Sequence, residues 1–160
     1  MLRASAGRDC IEGLAQPGRV HAPGIPKHHR ARGERIVTNS RFTHNLVLKG
    51  RRALLTARVA LQIGDSDSAV SRSYYAMFDI ARAALLKAGL SEDKLPRTHS
   101  GVIDAFGRYA IESGKIDVEL AGGLSRTEAL RMQADCTDTP VNARSGADAV
   151  AQAESFFANG

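Results

Sequence analysis

From Leu46 onward, apolar residues recur every three or four positions, and glycines or capping residues interrupt that rhythm at short intervals. Such a pattern restricts the chain to α-helices that each bury one stripe, because strands need a period of two and no segment keeps one. Leu46, Leu54, Ala57, Ala60 and Leu61 predict a first helix from about Asn45 to Ile63, closed by Gly64. Gly50 weakens its first half, since glycine is a poor helix former. Asp65-Ser66-Asp67-Ser68 supplies N-cap oxygens and negative charge to a second helix, which runs to about Ala88 and stops at Gly89. Its expected buried stripe is Val70, Tyr74, Met77, Ala81 and Leu85, with Phe78 alongside. This is the longest and most apolar element, which places it at the centre.

Thr98 caps a third helix of about His99 to Glu112, with Val102, Ile103, Phe106 and Ala110 inward and Ser113-Gly114 at its end. Asp117 caps a fourth, carrying Leu120, Leu124, Thr127, Leu130 and Ala134 to about Asp135. A loop with Pro140 leads to a fifth, about Ala143 to Ala158, with Ala147, Val150, Ala151, Glu154 and Phe157 on one side. Short connections imply antiparallel neighbours. The expected fold is therefore all-α, a five-helix up-and-down bundle over residues 45–158. The chain has no Trp and few aromatics, so the core must rest on Ala, Leu, Val and Ile, as close-packed helices allow.

Residues 1–44 read differently. Glycines and prolines break every candidate element, and a disordered basic tail is expected. Residues 1–52 hold 11 Lys/Arg against 3 Asp/Glu, whereas residues 53–160 hold 11 against 14. The basic character thus belongs to the N-terminal part, and the helical part is mildly acidic. The run Lys27–Arg35 admits a passive tail, an electrostatic arm for nucleic-acid phosphates, a targeting peptide, or an extension from an early start codon. No apolar run approaches 18 residues, so no membrane helix is expected. Cys10 and Cys136 belong to no ligand pattern and read as free thiols of a cytoplasmic protein. His28-His29 does not make a metal site. No phosphate loop, zinc motif or Ser/His/Asp constellation occurs, so neither metal nor cofactor is expected.

Three strings carry a resemblance: Ala69-Val70-Ser71-Arg72-Ser73-Tyr74-Tyr75-Ala76-Met77-Phe78, Thr98-His99-Ser100-Gly101-Val102-Ile103, and Leu130-Arg131-Met132-Gln133-Ala134-Asp135. In this order and spacing they resemble the small prokaryotic branch of the HEPN domain family, over roughly residues 50–158. The resemblance implies a bundle of four to five helices that often dimerises. It also implies a minimal nucleotidyltransferase partner in a toxin–antitoxin pair, and a connection to RNA or nucleotides. Active toxins of the family are metal-independent ribonucleases with an Arg followed four to six residues on by a His. Histidine can move a proton near neutral pH, and arginine can stabilise charge on a phosphate. Here the matching Arg is Arg131, but Cys136, Thr137 and Asp138 stand where the His belongs.

Arg131 and Asp135 are therefore the site candidates that the resemblance carries over, with Arg131 projecting into a concave polar surface shared with a ligand or another chain. Four residues apart on one helix, they also suit an ordinary ion pair. His99 reads as a structural histidine or as a substitute base. Tyr74 and Tyr75 point about 100° apart on a helix, so one belongs to the core and the other can stack on a base or line a dimer seam. Arg72, one turn from Tyr75, can bind phosphate or lie on a solvated face. Three function classes follow: a binding module, a ribonuclease using Arg131 with His99, and a structural helical adaptor.

Overall fold

The computed structural model describes the backbone of residues 32–159 and the side chains of residues 40–159. Five helices account for nearly all of it: α1 (Arg32–Gln62), α2 (Ser66–Lys87), α3 (His99–Ser113), α4 (Val118–Cys136) and α5 (Ala143–Asn159), with a short 3-10 turn at Glu92–Lys94. No strand occurs among the described residues. The all-α bundle expected from periodicity is the fold observed. Most of the expected tail, with Cys10, His21, His28 and His29, lies outside the described residues.

Local chemistry sets the helix ends. Asp65 accepts a hydrogen bond from the Ser68 amide and opens α2. The carboxyl of Asp65 is held below its usual range by Ser68. Thr98 Oγ1 accepts the Gly101 amide at the start of α3, and Asp117 accepts the Glu119 amide at the start of α4. Gly64 and Gly89 adopt positive φ just past α1 and α2, a conformation that a side chain would strain. Asp67, expected to serve α2 as a cap, instead receives the Val141 amide and ties α2 to the loop before α5.

α2 packs against each of the other four helices. Val70, Tyr74, Met77 and Ala81 of its expected stripe are completely buried, and Leu85 nearly so. Phe106 of α3 meets Phe156 of α5 with ring centroids 5.3 Å apart. A substantial core built on alanine and leucine surrounds these aromatics, each buried large side chain worth roughly 1.5–3 kcal/mol relative to exposure.

Four expectations need correction. α1 begins at Arg32, not Asn45: no glycine or proline lies between Glu34 and Lys49 to stop it, and Phe42 packs on the core. Gly50 is no weak point. It is buried where α1 crosses α2, and a Cβ there would stand 3.0 Å from the Ala76 carbonyl oxygen and 3.1 Å from the Phe157 ring. The face of α5 is rotated by about one residue: Gly146, Ala149, Val150, Ala153 and Phe156 are buried, whereas Ala147, Ala151 and Glu154 are exposed. In an alanine-rich helix with adjacent phenylalanines, apolarity alone does not select the face. Finally, α2 is not the longest helix: α1 spans 31 residues and α2 22, and α2 is central through its packing on the other helices and not through its length.

Candidate functional site

Three helices bring the cluster together. α2 contributes Ser71, Tyr74 and Tyr75, α3 opens with His99, and α4 contributes Arg131 and Asp135. Tyr74 is fully buried and Tyr75 half-buried, so of the adjacent tyrosines Tyr74 is the core residue. The Tyr74 hydroxyl and His99 Nδ1 share a hydrogen bond of 2.7 Å. The His99 ring also stacks on Phe78 at 4.6 Å and meets the edge of Tyr75. The Arg131 guanidinium lies 5.0 Å from the centroid of the Tyr74 ring and 6.0 Å from that of Tyr75. Tyr74 thus touches an imidazole through its hydroxyl and a guanidinium through its ring.

Arg131 is held on all sides. Its Nη1 donates to Asp135 Oδ2 at 3.1 Å and its Nη2 to the Met132 sulfur at 3.1 Å. The Ser71 hydroxyl donates to the other Asp135 oxygen, joining α2 to α4. Arg131 Nε is buried with no hydrogen-bond partner among the described residues. A guanidinium carries five donors in a fixed fork, and leaving one dry is costly. The expectation that Arg131 projects into a concave surface is not met, since the side chain is only 10% exposed and packs inward over the tyrosines. The i,i+4 pair with Asp135 does form.

Electrostatics follow from this enclosure. Burial, then the positive charge of Arg131, pushes the pKa of His99 below the usual histidine value, so the ring is neutral at pH 7. Glu128 opposes the shift. Burial raises the Tyr74 phenol far above its ordinary pKa, and it stays protonated.

His99 also lines a cleft of about 390 Å3 with Phe42, Phe78, Arg82, Glu92 and Arg97. Arg131 does not line it. Of the sequence candidates, Tyr75, His99, Arg131 and Asp135 come together. Arg72 is exposed on α2 and takes no part in the cluster contacts. Tyr74, Ser71, Arg82 and Arg97 were not singled out for the site. Only the one-turn spacing of Ser71 and Tyr74 hinted at a shared face, whereas Arg97 sits in a loop with no periodicity to read. No group of three or more metal-ligating side chains occurs among the described residues.

The sequence of residues 43–159 matches the family model of the HEPN domain, over the same helices that build this cluster. The chain belongs to the HEPN domain family. It is 37% identical over 91 residues to a UPF0332 protein of Gloeobacter violaceus, covering 57% of this chain and 69% of that protein. A protein of Methanocaldococcus jannaschii that bears the name "Putative toxin" is 34% identical over 88 residues, 55% of this chain and 63% of its own. A UPF0332 protein of Thermotoga maritima is 42% identical over 72 residues, 45% of this chain and 52% of its own. This HEPN chain thus spans less than two thirds of the length of the latter two. Among its described residues, no helix is long and apolar enough to cross a membrane.

Proposed function

We propose that this HEPN chain is the toxin-like half of a toxin–antitoxin pair, a cytoplasmic homodimer that binds RNA or nucleotide and is partnered by a minimal nucleotidyltransferase. One observation carries the nucleic-acid part of the reading: a buried guanidinium with an unpartnered Nε, set over two tyrosine rings and one side chain away from a neutral imidazole. Such a cluster of cation, aromatic faces and imidazole is suited to the phosphates and bases of nucleic acid. The name carried by the archaeal relative supports the toxin side. Co-expression with a nucleotidyltransferase encoded beside it tests the pairing. The two are expected to co-purify, and separate elution would overturn the pairing. Binding of a single-stranded oligoribonucleotide, weakened in Arg131→Ala, tests the nucleic-acid part.

A second reading is favoured by the meeting of His99 and Arg131 on Tyr74. Here the chain is a metal-independent ribonuclease in which His99 replaces the histidine missing after Arg131. With Nδ1–H donating to the Tyr74 oxygen, Nε2 keeps its lone pair and takes the proton of a ribose 2′-OH as that oxygen attacks phosphorus. The bond from phosphorus to the 5′-oxygen breaks, that oxygen leaves with a proton from the imidazolium or from water, and a 2′,3′-cyclic phosphate remains. Arg131 then offsets the charge that develops on the phosphate. RNA cleavage abolished in both His99→Ala and Arg131→Ala is the expected result. Cleavage that survives either substitution rejects the mechanism.

A further inference from the structure

The cleft on the other side of His99 has its own chemistry, and none of its remaining walls belongs to the Arg131 cluster except through Phe78. Its volume of about 390 Å3 falls within the range of small-molecule sites, which starts at about 300 Å3. That suits one nucleotide unit and is too small for folded RNA.

The cation in its wall is prepared in advance. Arg82 of α2 stands 5.7 Å from the ring centroids of both Phe42 and Phe78, so two aromatic faces from different helices hold its guanidinium. Its side chain is 24% exposed. Much of its hydration is therefore already lost, and an incoming anion displaces little water from it. Asp79, at 3.7 Å, is the ion-pair partner of Arg82 among the described residues. That carboxylate is shared with Lys49 at 3.6 Å. Most of the five donors of Arg82 thus remain for a ligand. Arg97 lies exposed in the loop before α3 and brings a second guanidinium to the same cleft. Glu92, at the exposed rim, can only accept hydrogen bonds when ionised, which suits a ribose hydroxyl or an exocyclic amine.

We propose that this cleft binds one nucleotide unit, its phosphate held by Arg82 and Arg97 and its ribose or base hydrogen-bonded to Glu92 at the rim. The proposal deepens the nucleic-acid reading above and rests on it. The unit can be a free nucleotide or part of a single strand, since both present the same phosphate and base.

Calorimetric titration of the full chain with AMP, adenosine and a single-stranded oligoribonucleotide tests it. AMP is expected to bind at least tenfold more tightly than adenosine. Arg97→Ala should weaken AMP and the oligoribonucleotide at least fivefold, and Arg82→Ala more. Arg144→Ala, on α5 and outside the cleft, should change neither. Thermal melts of the Arg97 variants should match the parent, because that side chain is exposed. Binding of the oligoribonucleotide with Arg97 dependence, but without AMP binding, supports the cleft with RNA as the source of the unit. Equal binding of adenosine and AMP overturns the proposal, as does unchanged binding in both Arg97→Ala and Arg97→Glu. Oligoribonucleotide binding that survives those variants but fails in Arg131→Ala rejects the cleft and leaves the broader reading standing. A parent chain that binds none of the three rejects both.

Discussion

α2 buries a charge on each of two flanks, and the two are handled in opposite ways. Toward α1, the Asp79 carboxylate is 2% exposed and faces Lys49 and Arg82 at 3.6 and 3.7 Å, with Oδ2 lacking a hydrogen bond. Toward α4, Arg131 has two hydrogen bonds of 3.1 Å and two aromatic rings beneath it. The contacts of Asp79 are long and its partner Lys49 is largely in water, so burial outweighs attraction and its pKa is raised. The contacts of Arg131 form a fitted enclosure in which Nε has no hydrogen-bond partner among the described residues. A buried charge that is loosely paired costs stability and gives little back, whereas one that is caged and still under-used is a place to look for function.

Four substitutions can break or sharpen that contrast. Tyr74→Ala should have the largest effect, about 3–5 kcal/mol in chemical denaturation, because it empties a fully buried aromatic site and removes the floor under Arg131. Arg131→Ala should cost about 1–3 kcal/mol, since packing on two rings is lost and Asp135 keeps only its hydrogen bond from Ser71 in place of the ion pair. A loss near zero would mean the cage stabilises nothing.

Asp79→Asn should cost less, within about 1 kcal/mol at pH 7, because it removes a poorly compensated buried charge. The sign with pH follows from the raised pKa. Folding favours the protonated acid, so the parent gains stability as pH falls from above the folded pKa of Asp79 toward its unfolded value. The variant should lack that gain when urea midpoints are compared at neutral and mildly acidic pH.

His99→Gln should have the smallest effect. The pKa of His99 is lowered, so its contribution is present above the unfolded pKa and lost as pH falls through the folded one. The parent should therefore lose more stability than the variant on acidification below about pH 6.5, the ordinary histidine value. Parallel profiles would show that the ring is not held neutral.

Much of the scaffold was legible because its signals are local. Gly64, Gly89, Thr98 and Asp117 mark helix ends through groups only a few residues apart, and the stripe Val70–Leu85 lies on one turn-to-turn period. Most of the cluster was legible too, since Arg131, Asp135, Tyr75 and His99 stood out by residue type or by the family resemblance. Arg72 stood out equally and is not in it. Nothing in the spacing joined His99 to Tyr74, which are 25 residues apart, or Ser71 to Asp135, which are 64 apart.

Order along the chain was thus enough to determine five helices, their ends apart from the start of α1, and the identity of the central one, because backbone hydrogen bonds and side-chain periodicity act within a few residues. Which face of α5 turns inward, why Gly50 must be small, how Arg131 comes to lie over Tyr74, and how Arg82 and Arg97 come to share a cleft were decided only by packing. Those are encounters between distant segments, set by how ridges and side-chain volumes fit once the helices meet.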